Sequence, residues 1–590
     1  MTALQIRSFR SRPLLGLFLA PLGLISAGAD AQSLGVCNSF YSSGFTLTEG
    51  KVNPTMPSLA KPAKGTVLKE PNFNTCLVRA TVHDTEPPST FARTDYSRRQ
   101  SFNANNTYFI VYSNDGWWHL YNATTLQYLR KLSPKVANSS VSAEFHMAGD
   151  AEPQWHPTDP NSLYYVPNNG GTKLLKLDVR TNTHTVAADF AGKLPSWASS
   201  AAHIWTKSEG SPSADGRYWG FQVENSSFGL LGYMVWDLQN NRLVGSRQDN
   251  SRPDHSSMSA AGRWYITSSD TTGTWAWSPD FTKKKKLHNK SEHSDMALGP
   301  NGQDYYVSVD YQSSAGDVFF TDIDACPAVA ASVTTAPVCP RTVLFPSYIN
   351  GAATAMHFSG KSFSKPGWMI WSTYATTASR DGSWPWFTNK IYAVELKANP
   401  RVYPIAYTRR AESAGGYWSE PHATVSRDFT RIAFNSNWHV NNANDIDTYI
   451  VHIPQSALPG GTTTPAPTAS RVTGGNLPPS LGTAAATAAA PVSSGAQVSQ
   501  SPATGGSDSG TASGTSTGTA TDAGTTGQPA RFVSRGERVL RSGALLARNL
   551  GLLDGTSIRA ALWSLPGASL FDDDDTFELE SERERKRNRR

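Results

Sequence analysis

A closed ring of seven β-sheet blades carrying an unstructured C-terminal extension, a seven-bladed β-propeller, is the all-β fold predicted for this chain of 590 residues. Three observations predict it. Seven segments share one pattern, a cluster of small or turn-forming residues followed by an alternating apolar strand, recurring roughly every 40 to 65 residues. Aromatic side chains make up 11% of the chain, including 17 Trp and 21 Tyr, which suits strands better than helical bundles. Between Pro459 and Pro529 large apolar side chains almost vanish, so that stretch lacks the surface to offset its ordering entropy. One four-stranded blade cannot bury both of its faces alone, so blades must stack about an axis and the ring must close. A two-sheet sandwich leaves the seven similar units unexplained.

From the N-terminus, residues 1–31 read as an export signal. Arg7, Arg10 and Arg12 precede the apolar run LLGLFLAPLGLIS, and the small-residue stretch AGADAQ offers cleavage after Ala29 or Ala31. The run is short for a membrane span, and no other segment is long and apolar enough, so a secreted protein with no membrane span is expected. Export permits disulfides, and the spacing of the four cysteines suggests Cys37–Cys76 and Cys326–Cys339. With no CxxC pair, a thiolate zinc site is not expected. Residues 32–95 are read as a segment that closes the ring, and 96–456 as the propeller. Residues 457–530 form a disordered, low-complexity linker. Residues 531–590 are read as a tail in which RVLRSGALLARNLGLL is amphipathic and could form one or two short helices, followed by DDDD from Asp572 to Asp575 and the terminal ERERKRNRR. The net charge of +6 is small for this length and does not point to nucleic acid as a partner.

The repeated segments are FNANNTYFIVYS from Phe102, WHPTDPNSLYYV from Trp155, SPSADGRYWGFQ from Ser211 and MSAAGRWYIT from Met258. ALGPNGQDYYVSV from Ala297, SKPGWMIWST from Ser364 and VSRDFTRIAFNS from Val425 complete the set. Most place a tight turn, such as Asp215-Gly216 or Asn301-Gly302, before an apolar strand. The turns resemble the TolB-type propeller repeat, whose blades carry a similar Ser-x-Asp-Gly turn, over about Ser97 to Pro454. The sequence departs from that pattern at Asp428, which is followed by Phe429 instead of Gly. The WD dipeptide occurs only as Trp236-Asp237, which argues against a WD-repeat ring.

Aligning the repeats on the turn sets Arg99, Gln154, Glu209, His255 and His422 at about one offset. His293 joins them because HSDM matches HSSM at His255, and His357 in AMHFSG fills the place in the sixth blade. Four of the chain's 13 His therefore fall at one structural position in consecutive blades. Residues that open an innermost strand face the axis at one mouth of the channel. A single imidazole there is ordinarily hydrogen-bonded to a neighbouring carbonyl. Four together, with Gln154 and Glu209 opposite, form a set able to hold a divalent metal or supply a base near neutral pH. Asp254, Glu292 and Glu420 flank these His as carboxylates that would orient the rings. Glu152, Glu209, Trp155, Trp438 and His439 are expected around the mouth as substrate contacts with Arg252, because aromatic faces beside cations suit an acidic sugar.

A secreted propeller with a His-rich channel mouth resembles the oligogalacturonide lyases and related propeller polysaccharide lyases. The resemblance implies β-elimination on an acidic polysaccharide or oligosaccharide that contains uronic acid. It also implies a divalent cation (Mn, Zn or Ca) held by some of His255, His293, His357, His422 and Gln154. Arg99 or Arg252 would clamp the uronate carboxylate and a remaining His would be the base. The division of roles among the His stays open. The competing class is a non-catalytic secreted propeller that binds carbohydrate or protein, with a structural His cluster. A monomer is expected.

Overall fold

The computed structural model describes residues 34–86, 91–132, 145–207, 209–411, 416–442 and 444–459. The expected export signal at 1–31, nearly all of the expected linker at 457–530 and the expected tail at 531–590 lie outside the described residues. Nearly every regular element is a strand, and helical structure is confined to short 3-10 turns such as Ser196–Ala198 and Tyr417–Ser419. No helix among the described residues is long and apolar enough to cross a membrane.

The strands form six hydrogen-bonded sheets. The nine-stranded sheet is two antiparallel units in one. Unit 1 contains Phe91–Arg93, Tyr108–Ser113, Trp118–Asn122 and Tyr128–Lys131. Unit 7 contains Thr424–Val425, Arg431–Ser436 and Ile446–His452, extended by Cys76–Arg79 and Val67–Lys69. A parallel contact of Phe91 with Ile446 joins the two. Units 2 to 6 are the remaining five sheets, whose first strands are Gln154–Trp155, Ala201–Trp205, His255–Met258, Ser294–Leu298 and Ala355–Ser359.

The buried cores show how the units stack. Ile110 and Leu120 meet Leu163 and Leu175 between units 1 and 2, and Leu174 and Phe190 meet Phe221 and Trp236 between units 2 and 3. Val235 packs on Trp275 between units 3 and 4, and Ile266 and Leu287 on Tyr306 and Phe319 between units 4 and 5. Val307 and Val318 face Trp371 and Tyr392 between units 5 and 6, and Ile370 and Ile405 face Ile432 and Val451 between units 6 and 7. A last cluster joins Ala433 and Ile450 of unit 7 to Phe109 and Val111 of unit 1. The stack therefore returns on itself, as in a β-propeller. Covered on both faces, a strand such as Trp368–Tyr374 is buried along its whole length, which is why its sequence reads as an apolar run.

The first and last strands among the described residues secure the ring. Cys76–Arg79 pairs antiparallel with Ile446–His452, and the Cys37–Cys76 disulfide fastens that strand to the preceding segment. Buried Asp447 accepts from Arg79 Nη2 at 2.6 Å, from Thr81 Oγ1 at 3.0 Å and from the His83 amide at 3.0 Å. The second expected disulfide, Cys326–Cys339, is also formed.

The repeated turn owes its geometry to its Ser and Asp. Ser213 Oγ donates to Asp215 Oδ1 at 2.5 Å and accepts the Tyr218 amide at 2.9 Å, while Gly216 takes a φ of 70°. Unit 7 builds the same turn from Ser426 and Asp428 with Phe429 at a φ of 66°. A left-handed conformation is costly for a bulky residue, and burial of the Phe429 ring between units 6 and 7 offsets that cost.

Candidate functional site

Units 4 to 7 start their first strands at one end of the axial channel, and that end gathers the His. His255 opens its strand, His293 immediately precedes Ser294–Leu298, His357 lies within Ala355–Ser359, and His422 stands two residues before Thr424–Val425. Three of the rings touch. His293 and His357 stack with centroids 4.7 Å apart, and His357 and His422 follow at 4.3 Å. The other face of His357 stacks on Tyr374 at 5.0 Å. His255 stands beside this group, with Nε2 3.2 Å from Ser294 Oγ and Nδ1 3.5 Å from Asp254 Oδ2.

The segment between Tyr96 and Gln100 runs through the middle of the ring. Arg98, and not Arg99, reaches across the axis. Its Nη1 lies 2.5 Å from Glu209 Oε2, in the connection between the first two strands of unit 3, and its Nε donates to the Ser294 carbonyl of unit 5. Tyr96 places its ring 5.2 Å from His357 and 5.0 Å from His422, and the Arg98 guanidinium lies 5.2 Å from the Tyr96 ring centre. Arg99 turns back to Asp95 at 3.0 Å and comes within 3.6 Å of Glu152. The segment is pinned through its carbonyls, which accept from Ser211 Oγ and Thr424 Oγ1. Sequence reasoning missed Arg98 and Tyr96 because they sit in an irregular segment with no strand alternation to fix their phase.

Hydrogen-bond partners set the tautomers. A guanidinium only donates, so Arg93 Nη2, 2.6 Å from His422 Nδ1, leaves the neutral ring's proton on Nε2. That Nε2 lies 3.4 Å from Glu420 Oε2, an oxygen that His357 Nε2 approaches at 2.9 Å. His293 Nδ1 donates to the Met356 carbonyl, which leaves the neutral ring's lone pair on Nε2. Burial is the leading influence on every shift here. It keeps His357 neutral well into the acid range and lowers His255 as well, in both cases with help from Arg98. It pushes His293 down to about 3, with His357 as the next contributor. It lifts Glu420 to about 7 despite Arg410 nearby, and holds Tyr96 protonated.

His357, Glu420 and His422 bring three potential ligand atoms within 4.8 Å of one another. Two imidazoles and a carboxylate suit Mn or Zn better than Ca, which takes oxygen ligands. The buried His357 Nδ1 has no hydrogen-bond partner, so with the proton on Nε2 facing Glu420 its lone pair is available to an ion. For His422 the fit is conditional: its Nε2 becomes a ligand only when Arg93 releases Nδ1. A second trio, His83, Asp445 and Asp447, meets the same distance criterion. Arg79 at 2.6 Å and Lys61 at 3.3 Å already neutralise Asp447, so this trio belongs to an ion-pair network.

Other expected site residues lie elsewhere. Gln154, placed among the metal ligands by sequence, donates to the Gly210 carbonyl at 3.0 Å and lines a cavity at the opposite end of the channel. Trp155 packs between units 1 and 2, and its indole N–H donates to the Ser101 carbonyl. Trp438 packs between units 6 and 7, stacked on Tyr449 at 4.7 Å. Both indoles fill the apolar space between blades, and Trp155 also borders the cavity at the opposite end from the imidazoles. Arg252 pairs with Glu224 at 2.8 Å and shows no contact with the imidazoles. His439 is exposed, with its amide bonded to the Arg409 carbonyl. Glu152 accepts the Thr206 amide at 2.7 Å. Glu420, read as a flanking carboxylate, is instead the hub between two of the rings.

No family model and no curated protein matches this sequence. Among solved structures, an oligogalacturonate lyase from Vibrio parahaemolyticus is similar, with a TM-score of 0.44 and 12% identity. That similarity covers 70% of this chain and 99% of the other. An oligogalacturonate lyase in complex with manganese gives a TM-score of 0.43 and 14% identity, covering 70% and 98%. At these identities the likeness is one of fold.

Proposed function

We propose that this chain is a secreted, monomeric polysaccharide lyase that cleaves a uronate-containing glycan by β-elimination at the histidine end of its channel. The observation that supports it is the packing of three imidazoles, from three consecutive units, against Tyr96 and between two arginines, Arg98 and Arg93. In β-elimination a base takes the proton beside the uronate carboxylate and the C–H electrons become a C=C bond. The glycosidic oxygen then leaves with its bonding pair and gains a proton. Arginine charge at the site would neutralise the carboxylate and acidify the proton. His293 is neutral over the physiological range and its Nε2 lone pair would accept that proton; the charge it gains is favoured by Glu420. Tyr96, kept protonated by burial, would return a proton to the leaving oxygen. A divalent cation on His357, Glu420 and His422 would, when bound, further acidify the abstracted proton as a Lewis acid.

The test is incubation of the purified protein with pectic, ulvan-type and arabinogalactan glycans while following the absorbance of unsaturated uronates. Absorbance should rise with at least one glycan and fail to rise with His293→Ala. Metal content of the same preparation should be about one divalent ion per chain. A second reading is favoured by one contact: Arg93 at His422 Nδ1 suits a structural cluster in a carbohydrate-binding propeller. Glycan binding without new absorbance, unchanged in His293→Ala, would establish that reading instead.

A further inference from the structure

The far end of the channel carries a cavity separate from the histidine cluster. Its walls come from the axial segment at Gln100, from unit 2 at His156, from the turn at Ala214, and from units 6 and 7 at Phe363 and Arg427. His422 and Arg427 are five residues apart along one chain segment, and His357 and Phe363 six, so a fully extended chain would set the two ends at most roughly 15 to 20 Å apart. The Tyr96–Gln100 segment lies between them: Arg98 belongs to the histidine end and Gln100 to the far end.

The charge here is uncompensated. Arg427 donates from Nη2 to the Ala214 carbonyl at 2.9 Å, and its guanidinium lies 5.0 Å from the Phe363 ring centre. No carboxylate lies within ion-pair distance of it among the described residues, and burial lowers it to about 10 against a weak pull from Asp215. Asp215 itself serves Ser213 Oγ and the Arg217 amide. Lys361, the other cation in the wall, is matched by Asp295 at 2.8 Å. A half-enclosed guanidinium with no counter-charge is stabilised by an anion. His156 adds a donor: its Nδ1 accepts the Thr158 and Asp159 amides at 3.2 and 2.9 Å, which puts the neutral ring's proton on Nε2.

The cavity also offers an acceptor. Gln100 is only 8% exposed, and its Nε2 donates to the Lys361 carbonyl at 3.3 Å. A carbonyl cannot accept from Oε1, so that contact fixes the amide's orientation. Its Oε1 is buried without a hydrogen-bond partner. A ligand that satisfies both needs carries an anionic oxygen for Arg427 and an O–H for Gln100. We propose that this cavity is a binding site for a small hydroxycarboxylate, with its carboxylate on Arg427 and a hydroxyl on Gln100 Oε1. The inference does not depend on the lyase reading.

Titration calorimetry of the full chain with D-glycerate, acetate and glycerol tests it. D-glycerate should bind saturably, acetate about tenfold or more weakly, and glycerol not at all. Arg427→Gln should remove D-glycerate binding. Gln100→Leu should abolish the preference for D-glycerate over acetate while acetate still binds, which keeps the test decisive if the Arg427 variant folds poorly. No saturable D-glycerate binding, or equal affinity in the wild type and in folded Arg427→Gln, would overturn the site.

Discussion

The two ends of the axial channel solve the problem of buried polarity in opposite ways. At the histidine end, polar groups are matched inside the protein: the Arg98 cation meets Glu209 at 2.5 Å and neutral His357 meets Glu420 at 2.9 Å. At the far end, Arg427 has a backbone carbonyl and an aromatic face, but no carboxylate. The lesson is that cations in one channel can have different purposes. A paired cation organises a site, whereas an unpaired one in a cavity awaits an anion from outside.

The sharpest break between the ends is expected in catalysis. His293→Ala should lower the formation of unsaturated uronates by about a hundredfold to ten-thousandfold, the range for loss of a general base. An initial-rate absorbance assay on purified protein reads this directly. An unchanged rate would move the chemistry away from the histidine end.

Stability should separate the two arginines. Arg98→Ala leaves Glu209 buried without its partner and should cost about 3 to 5 kcal/mol in denaturant unfolding. Arg427→Ala removes one hydrogen bond and no ion pair, so its cost should be on the order of 1 kcal/mol. Equal losses would show that the far-end cation is as deeply built into the fold as the axial one.

The pH dependence follows from the neutral imidazoles. The unfolded chain binds protons near 6.5, whereas folded His293 refuses them until about 3, and His255 and His357 are shifted the same way. The unfolded state therefore holds more protons between these values, and stability contributed by these rings is lost as pH falls through that window. Glu420 and Glu292 work in reverse. They are raised from 4.5 to about 7 and about 8, so their contribution is present below 4.5 and is lost as pH rises toward those values. Thermal melts between pH 4 and 9 would resolve both limbs.

The alkaline limb can be assigned at Glu292, where Gln312 donates to Oε1 at 2.7 Å. Glu292→Gln keeps that acceptor and removes the ionisable group. It should flatten the upper part of the alkaline limb and leave the acid limb as it was. A steeper alkaline loss in this variant would assign that limb to another group.

The amino-acid sequence by itself determined the strand-and-turn grammar of this protein. Ser213 and Asp215 make their turn with their own side chains, and Cys37 finds Cys76 from across the short segment that closes the ring. Such features depend on neighbours in the chain, so they are legible before folding. The gathering of His293, His357 and His422 was also legible, because a repeating unit puts equivalent positions at one end of a ring. The tertiary structure alone decided which arginine crosses the axis, since Arg98 and Arg99 are adjacent in an irregular segment and only packing sets their directions. It alone decided that Trp155 and Trp438 fill the spaces between blades, and that Glu420 and Arg93 govern the imidazole protons. The reason is physical: local patterns fix where a side chain begins, but the direction it takes depends on neighbours hundreds of residues away.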